Sequence, residues 1–129
     1  MEIGTDFWMI RVLITGSRKW DSYIGMTRAF ELFQSSVDIA FEEMIIVHGG
    51  APGADTVAGD VAKRFGCQVE THPADWTKHG RAAGPIRNQK MVDLGADVCL
   101  AFPLGESRGT RHCMRVAEKA GIKVINYGD

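Results

Sequence analysis

Met44-Ile45-Ile46-Val47-His48-Gly49-Gly50-Ala51-Pro52-Gly53-Ala54-Asp55 is the stretch on which the fold turns. Its first four residues form a short unbroken apolar run, the pattern of a parallel strand covered on both faces. Glycine and proline then interrupt the run. From Gly53 to Phe65 the apolar residues Val57, Val61 and Phe65 recur on one stripe, with Gly66 just past the end, which predicts a helix. Strand, glycine-rich turn and helix in that order make one βα unit.

The same alternation extends in both directions. Upstream, Met9 to Thr15 reads as a strand ended by Gly16, and Ser22 to Phe41 as an amphipathic helix carrying Tyr23, Met26, Phe30, Phe33 and Val37. Downstream, Gln68 to Thr71 predicts a third strand, Pro73 to Pro85 a loop, and Arg87 to Leu94 a helix closed by Gly95. Asp97 to Phe102 is the fourth strand, Thr110 to Ala120 a helix with Met114 and Ala117 on one face, and Ile122 to Ile125 the last strand. This order predicts an α/β fold: a Rossmann-like three-layer sandwich with a five-stranded, mostly parallel sheet. Ligands of such sheets bind beyond the carboxyl ends of the strands, where strand order switches. Gly16, Gly49 and Gly105 all follow strand ends, so their turns are expected to converge there.

A chain of 129 residues is expected to be one domain, 1–129, with residues 1–8 as a short N-terminal extension. A chain of this size buries about two-thirds of its unfolded surface, enough for a core without metal or disulfide. The net charge of −1 gives no broad nucleic-acid or membrane-binding field. Positive charge is nevertheless concentrated at Arg81, Arg87, Lys90, Arg108, Arg111 and Arg115. Cys67, Cys99 and Cys113 are odd in number and form no C-x-x-C pair, which suits reduced thiols and a cytoplasmic location. Acidic Glu2 and Asp6 argue against a signal peptide, and no segment approaches the ~18 apolar residues of a membrane span. The four histidines and three cysteines show no zinc-like spacing, so neither a metal nor a cofactor is expected.

Three turns carry candidate chemistry. In Gly16-Ser17-Arg18, the Ser17 hydroxyl and the Arg18 guanidinium suit a phosphate or ribose, or else form a simple turn. In the turn of His48, Gly49, Gly50, Gly53 and Ala54, glycine admits close approach of a ligand to the main chain. Asp55 there either caps the helix or accepts a ribose hydroxyl, and His48 is either structural or a ligand contact. No Lys-Ser/Thr follows the glycines, as a Walker loop would require, and G-x-G-x-x-G is absent. In Ser107-Arg108-Gly109-Thr110, two hydroxyls and the Gly109 amide at a helix start suit a phosphate. Arg87 and Asn88 lie near the start of the preceding helix, and Trp20 and Trp76 either stack on a base or pack over the sheet edge.

Together, Gly16–Trp20, His48–Asp55, A-A-G-P-I-R-N at Ala82–Asn88 and S-R-G-T at Ser107–Thr110 resemble the SLOG superfamily. The likeness points to its YspA-like, cpYpsA-related branch, found in bacteria and their phages. More distantly the chain is similar to the lonely-guy phosphoribohydrolases and the Smf DNA-processing proteins. The resemblance implies a nucleotide or ADP-ribose-like ligand at the glycine-rich strand ends, and a homo-oligomer formed through helices. It places Arg87, with Met91 at the matching distance, on the arginine of the phosphoribohydrolases. Their catalytic Glu falls on Cys113, so the chain keeps the phosphate-binding half of the motif and departs from it in the catalytic half. As an enzyme the chain is expected to hydrolyse an N-glycosidic bond, with Asp55 or Glu106 supplying negative charge beside the ribose and Arg87 assisting; otherwise it acts as a sensor. The alternative reading is a single-stranded nucleic-acid-binding protein.

Overall fold

The computed structural model describes residues 9–129, and the expected extension at residues 1–8 lies outside the described residues. Five strands, β1 (Ile10–Gly16), β2 (Met44–His48), β3 (Gln68–Thr71), β4 (Val98–Phe102) and β5 (Lys123–Asn126), pair in the order β3-β2-β1-β4-β5. Every pairing is parallel, with Val12 opposite Ile46 on one side and Val98 on the other. The unbroken apolar runs occupy the three inner strands because both of their faces are covered. Val12, Ile14, Ile46 and Leu100 face one core, and Leu13, Ile45, Val47 and Cys99 face a second. The edge strands β3 and β5 expose Gln68, Thr71, Lys123 and Asn126 at their ends.

Helices α1 (Tyr23–Val37) and α2 (Ala54–Phe65) complete the first core through Met26, Phe30, Phe33, Val57 and Val61. Helices α4 (Ala83–Asp93) and α5 (Arg108–Lys119) complete the second through Met91, Val92, Cys113 and Ala117. Burying a side chain such as Phe30 contributes about 2 kcal/mol, so these two stripes carry much of the hydrophobic stabilisation. On α5 the buried stripe is Thr110, Cys113 and Ala117, while Met114 stays half-exposed.

Most boundaries fall within two residues of the expectation, and two differ by more. The first helix starts where Ser22 accepts the Gly25 amide at 2.9 Å, but it ends at Val37 rather than Phe41. Asp38 adopts the left-handed conformation (φ 51°) and turns the chain, which brings Phe41 to stack on Phe65 at 4.2 Å. Nor is the segment from Pro73 to Pro85 a loop throughout. It forms a single helical turn, α3 (Trp76–His79), a 3-10 turn at Gly80–Ala82, and the start of α4. Pro85 sits in the first turn of α4, where a missing N–H costs no helical hydrogen bond.

Candidate functional site

Because β1 and β4 are neighbours while their crossovers leave on opposite faces, the strand order switches between them. A cleft of about 560 Å³ opens at that point, beyond the carboxyl ends of the strands. Its floor is Thr15, Gly16 and Ser17, and its walls come from the α2 start, α4, Trp76 and the turn after β4.

The glycines in the first two turns stand close against other parts of the protein. At Gly53 (φ 81°) a side chain would strike the Ser17 and Arg18 main chain, and Ala54 donates its amide to the Ser17 carbonyl at 3.0 Å. At Gly49 a Cβ would enter the Arg87 guanidinium, whose Nη1 donates to the Gly49 carbonyl at 2.7 Å. At Gly16 the obstacle would be Ala54 and Phe102. Gly53 and Gly50 line a separate, shallower hollow, and His48, Gly49 and Ala54 do not line the cleft. The His48 ring lies between Thr71 and Gly59, and its Nδ1 accepts the Gly50 amide at 2.9 Å. Burial, with Lys63, Arg87 and His72 adding to it, lowers its pKa and keeps the ring neutral.

Asp55 does not cap its own helix; Gly53 occupies the cap position. Its Oδ2 accepts the amides of Gly49 (3.1 Å) and Ala51 (3.2 Å), which folds the glycine turn back over the α2 start. Asp55 is 5% exposed and borders the cleft. Burial pushes its pKa up to about 6, against the pull of those amides, Arg87 and Arg18.

Arg87 is half-buried on the cleft wall. Its Nε donates to Asn88 Oδ1 (3.0 Å) and its Nη1 to the carbonyls of Gly49 and His72. Among the described residues no carboxylate forms an ion pair with it. Asn88, buried, donates through Nδ2 to the Gly109 carbonyl at 3.3 Å and so couples α4 to the α5 start.

The third turn differs from the other two. Ser107 (φ 42°) precedes α5 but its side chain does not cap the helix; its hydroxyl donates to Thr110 Oγ1 at 2.7 Å instead. The amides of Arg108, Gly109 and Thr110 are left without acceptors among the described residues. Nothing lies within 4 Å of a Cβ placed on Gly109, so this helix start is open to the cleft. Glu106 stands at the rim, its side chain 73% exposed, and pairs with Arg108 at 2.7 Å. The Ser17 hydroxyl accepts the Lys19 amide and faces the cleft, and the Arg18 guanidinium lies 5.4 Å from the Trp76 ring centre.

Trp20 packs edge-on against Phe102 and does not line the cleft, whereas Trp76, 49% exposed, does. Beneath the floor, the Cys113 thiol is fully buried, and burial raises its pKa to about 11 despite a hydrogen bond to Thr15. Sequence reasoning passed over Thr15, a polar residue ending an apolar strand, and Asp129. The Asp129 Oδ2 accepts the Gly105 amide at 2.8 Å and holds the third turn from outside, opposing Arg111, which donates to the Gly105 and Glu106 carbonyls. Only the strand-end position of Thr15 offered a signal.

The parallel order, the two-sided core and a cleft at the switch between β1 and β4 define a doubly wound, Rossmann-like α/β protein. The chain belongs to the YspA, cpYpsA-related SLOG family, whose sequence model matches residues 10–79. It is 51% identical over 126 residues to the "Gene 61 protein" of Mycobacterium phage D29, covering 94% of this chain and 98% of that one. Its fold is similar, at TM-score 0.65 and 17% identity, to DNA processing protein A from Helicobacter pylori, a structure described for its single-stranded DNA binding mode. That alignment covers 95% of this chain and 66% of the other, just under two thirds of its length. No helix among the described residues is long and apolar enough to cross a membrane.

Proposed function

We propose that the cleft binds a nucleotide or nucleotide-derived ligand through its phosphate, in the class of a nucleoside monophosphate or ADP-ribose. The observation that carries this reading is Arg87, a half-buried guanidinium that forms no ion pair among the described residues, bordering the same cleft as the α5 amides left without acceptors there. A guanidinium and a helix start are the two protein groups best matched to a phosphate. Ser17, Ser107, Thr110 and Arg18 add hydroxyl and cationic contacts in this scheme, and Trp76 offers a face for the base. A volume of about 560 Å³ suits a mononucleotide.

If the ligand turns over, Asp55 is the group for the chemistry. A buried carboxylate mostly ionised at neutral pH stabilises an oxocarbenium-like ribose electrostatically. Glu106, solvated and paired with Arg108, is less suited. The buried Cys113 thiol, protonated at neutral pH, supplies no negative charge.

The test is proton NMR of AMP, CMP, ADP-ribose, NAD and cyclic dinucleotides with the protein, followed over hours. Broadened ligand lines in the wild type that sharpen with Arg87→Ala support binding, and growing free-base signals identify an N-glycosidase. Sharp, unchanged lines for the whole panel refute the reading.

A second reading has its own observation. A groove lined by Arg108, Arg111, His112 and Arg115 adjoins the cleft and shares Glu106, Arg108 and Gly109 with it. Such a groove fits the phosphates that follow a strand end, and the fold is shared with a protein studied for single-stranded DNA binding. Salt-dependent retention of single-stranded DNA supports this reading, since phosphate contacts release counterions, and no retention at low salt refutes it.

A further inference from the structure

Behind Arg87, on the side away from the cleft, lies a smaller pocket of about 240 Å³. The β3 end and the loop after it supply Thr71 and His72, α3 supplies His79, and α4 supplies Arg87 and Lys90. Its volume is below the roughly 300 to 1,000 Å³ of small-molecule pockets, so it takes a group of phosphate size rather than a nucleoside.

The charge around it is unbalanced. Lys90 and the His79 ring make no hydrogen bond or ion pair among the described residues, and Arg87 has only carbonyl and amide-oxygen acceptors. Of the two acids here, Asp75 lines the pocket and Glu70 lies outside its lining. Asp75 caps α3 by accepting the Lys78 amide at 3.0 Å, and Glu70 is held by Arg11 and by His72 at 2.7 Å. The Lys90 ammonium and the Arg87 guanidinium thus face one small concavity beside the single carboxylate of Asp75, with the His79 ring as a further hydrogen-bonding group.

We propose that this rear pocket is a second anion site, taking a phosphate group, free or as a monoester, between Lys90, His79 and Arg87. It does not require a nucleotide in the cleft, because neither Lys90 nor His79 borders the cleft. Arg87 borders both pockets, so one guanidinium stands between two anions and occupancy at the rear bears on its position at the front.

The experiment follows the imidazole ring protons by NMR at fixed pH and constant ionic strength, with the His79 signal assigned by its loss in His79→Ala. Inorganic phosphate is titrated first, then glycerol 3-phosphate, with sodium chloride as the control. The expected result is a saturable shift of the His79 signal that weakens roughly tenfold in Lys90→Ala, the loss of one charge-assisted contact. In the same variant, quenching of Trp76 by AMP is unchanged. A response to both phosphates shows a site open to monoesters, and a response to inorganic phosphate alone a site for the free ion. An unmoved His79 signal, an equal shift with chloride, or the same midpoint in Lys90→Ala overturns the proposal. If AMP fails to quench Trp76 while the His79 shift persists, the rear site stands and the cleft reading falls.

Discussion

Replacing Asp55 by Asn should stabilise the fold at neutral pH. The carboxyl is 5% exposed, and its pKa rises from 3.8 in the unfolded chain to about 6 when folded. Here the folded value lies above the unfolded one. Stability from this group is therefore complete below about pH 4 and is lost as pH climbs through 6, because the folded state must then hold a buried anion. Two pKa units at ~1.4 kcal/mol each amount to about 3 kcal/mol of destabilisation by pH 7. Asparagine is isosteric, does not titrate, and its oxygen still accepts the Gly49 and Ala51 amides. Its NH2 needs an acceptor in their place, which offsets part of the gain, so the net expectation is about 1 to 3 kcal/mol at pH 7 and near zero at pH 4. Urea denaturation of both proteins from pH 4 to 7.5 measures the difference directly. A pH-independent difference, or an Asn variant less stable at pH 7, would refute the account of Asp55 as a strained anion. The natural residue then sacrifices stability, the usual sign of a group kept for its charge at a site.

Other expectations follow from the same contacts. Gly49→Ala drives a methyl into the Arg87 guanidinium, so it should cost about 1 to 3 kcal/mol in denaturation and weaken nucleotide binding by calorimetry as much as Arg87→Ala does. Arg87→Lys keeps the charge but loses the Nε bond to Asn88; roughly tenfold weaker binding with a near-native melting temperature is expected. Glu70 has the opposite pH sign to Asp55: its Arg11 partner holds its pKa near about 2, so its contribution is present above pH 4.5 and disappears as pH falls through 2. Glu70→Gln should accordingly lower stability at neutral pH and flatten the acid limb of the profile, as urea denaturation across pH would show. Asp129→Ala frees the Gly105 amide, and faster hydrogen exchange confined to residues 103–109 is the readout.

Much of the architecture was legible because two periodicities carry it. The run Met44–Val47 has room for apolar side chains on both faces only in an inner parallel strand, and the Val57-Val61 stripe has only a helical solution. Local chemistry set the start of α1 through Ser22 and the end of α2 through Gly66. The end of α1 was not legible, since Phe41 fits the helical stripe and only its stack on Phe65, far along the chain, shows why the chain turns earlier.

The turns were recognised as a group, but not what each one does. Glycine in a sequence means that something comes close; it does not say what. Tertiary packing decided that Gly53 makes room for the Ser17–Arg18 main chain and Gly49 for Arg87, while Gly105 and Gly109 of the third turn have open space before them. Packing likewise turned Trp20 inward and left Trp76 at the cleft, two residues the sequence could not tell apart. By itself, then, the sequence determined the strands, the helices and the sheet edge on which the conspicuous residues would meet, because period and turn chemistry act over a few neighbouring residues. Only the tertiary structure decided which groups face the cleft and carry unbalanced charge, because burial and pairing depend on residues such as Gly49 and Arg87, 38 positions apart along the chain.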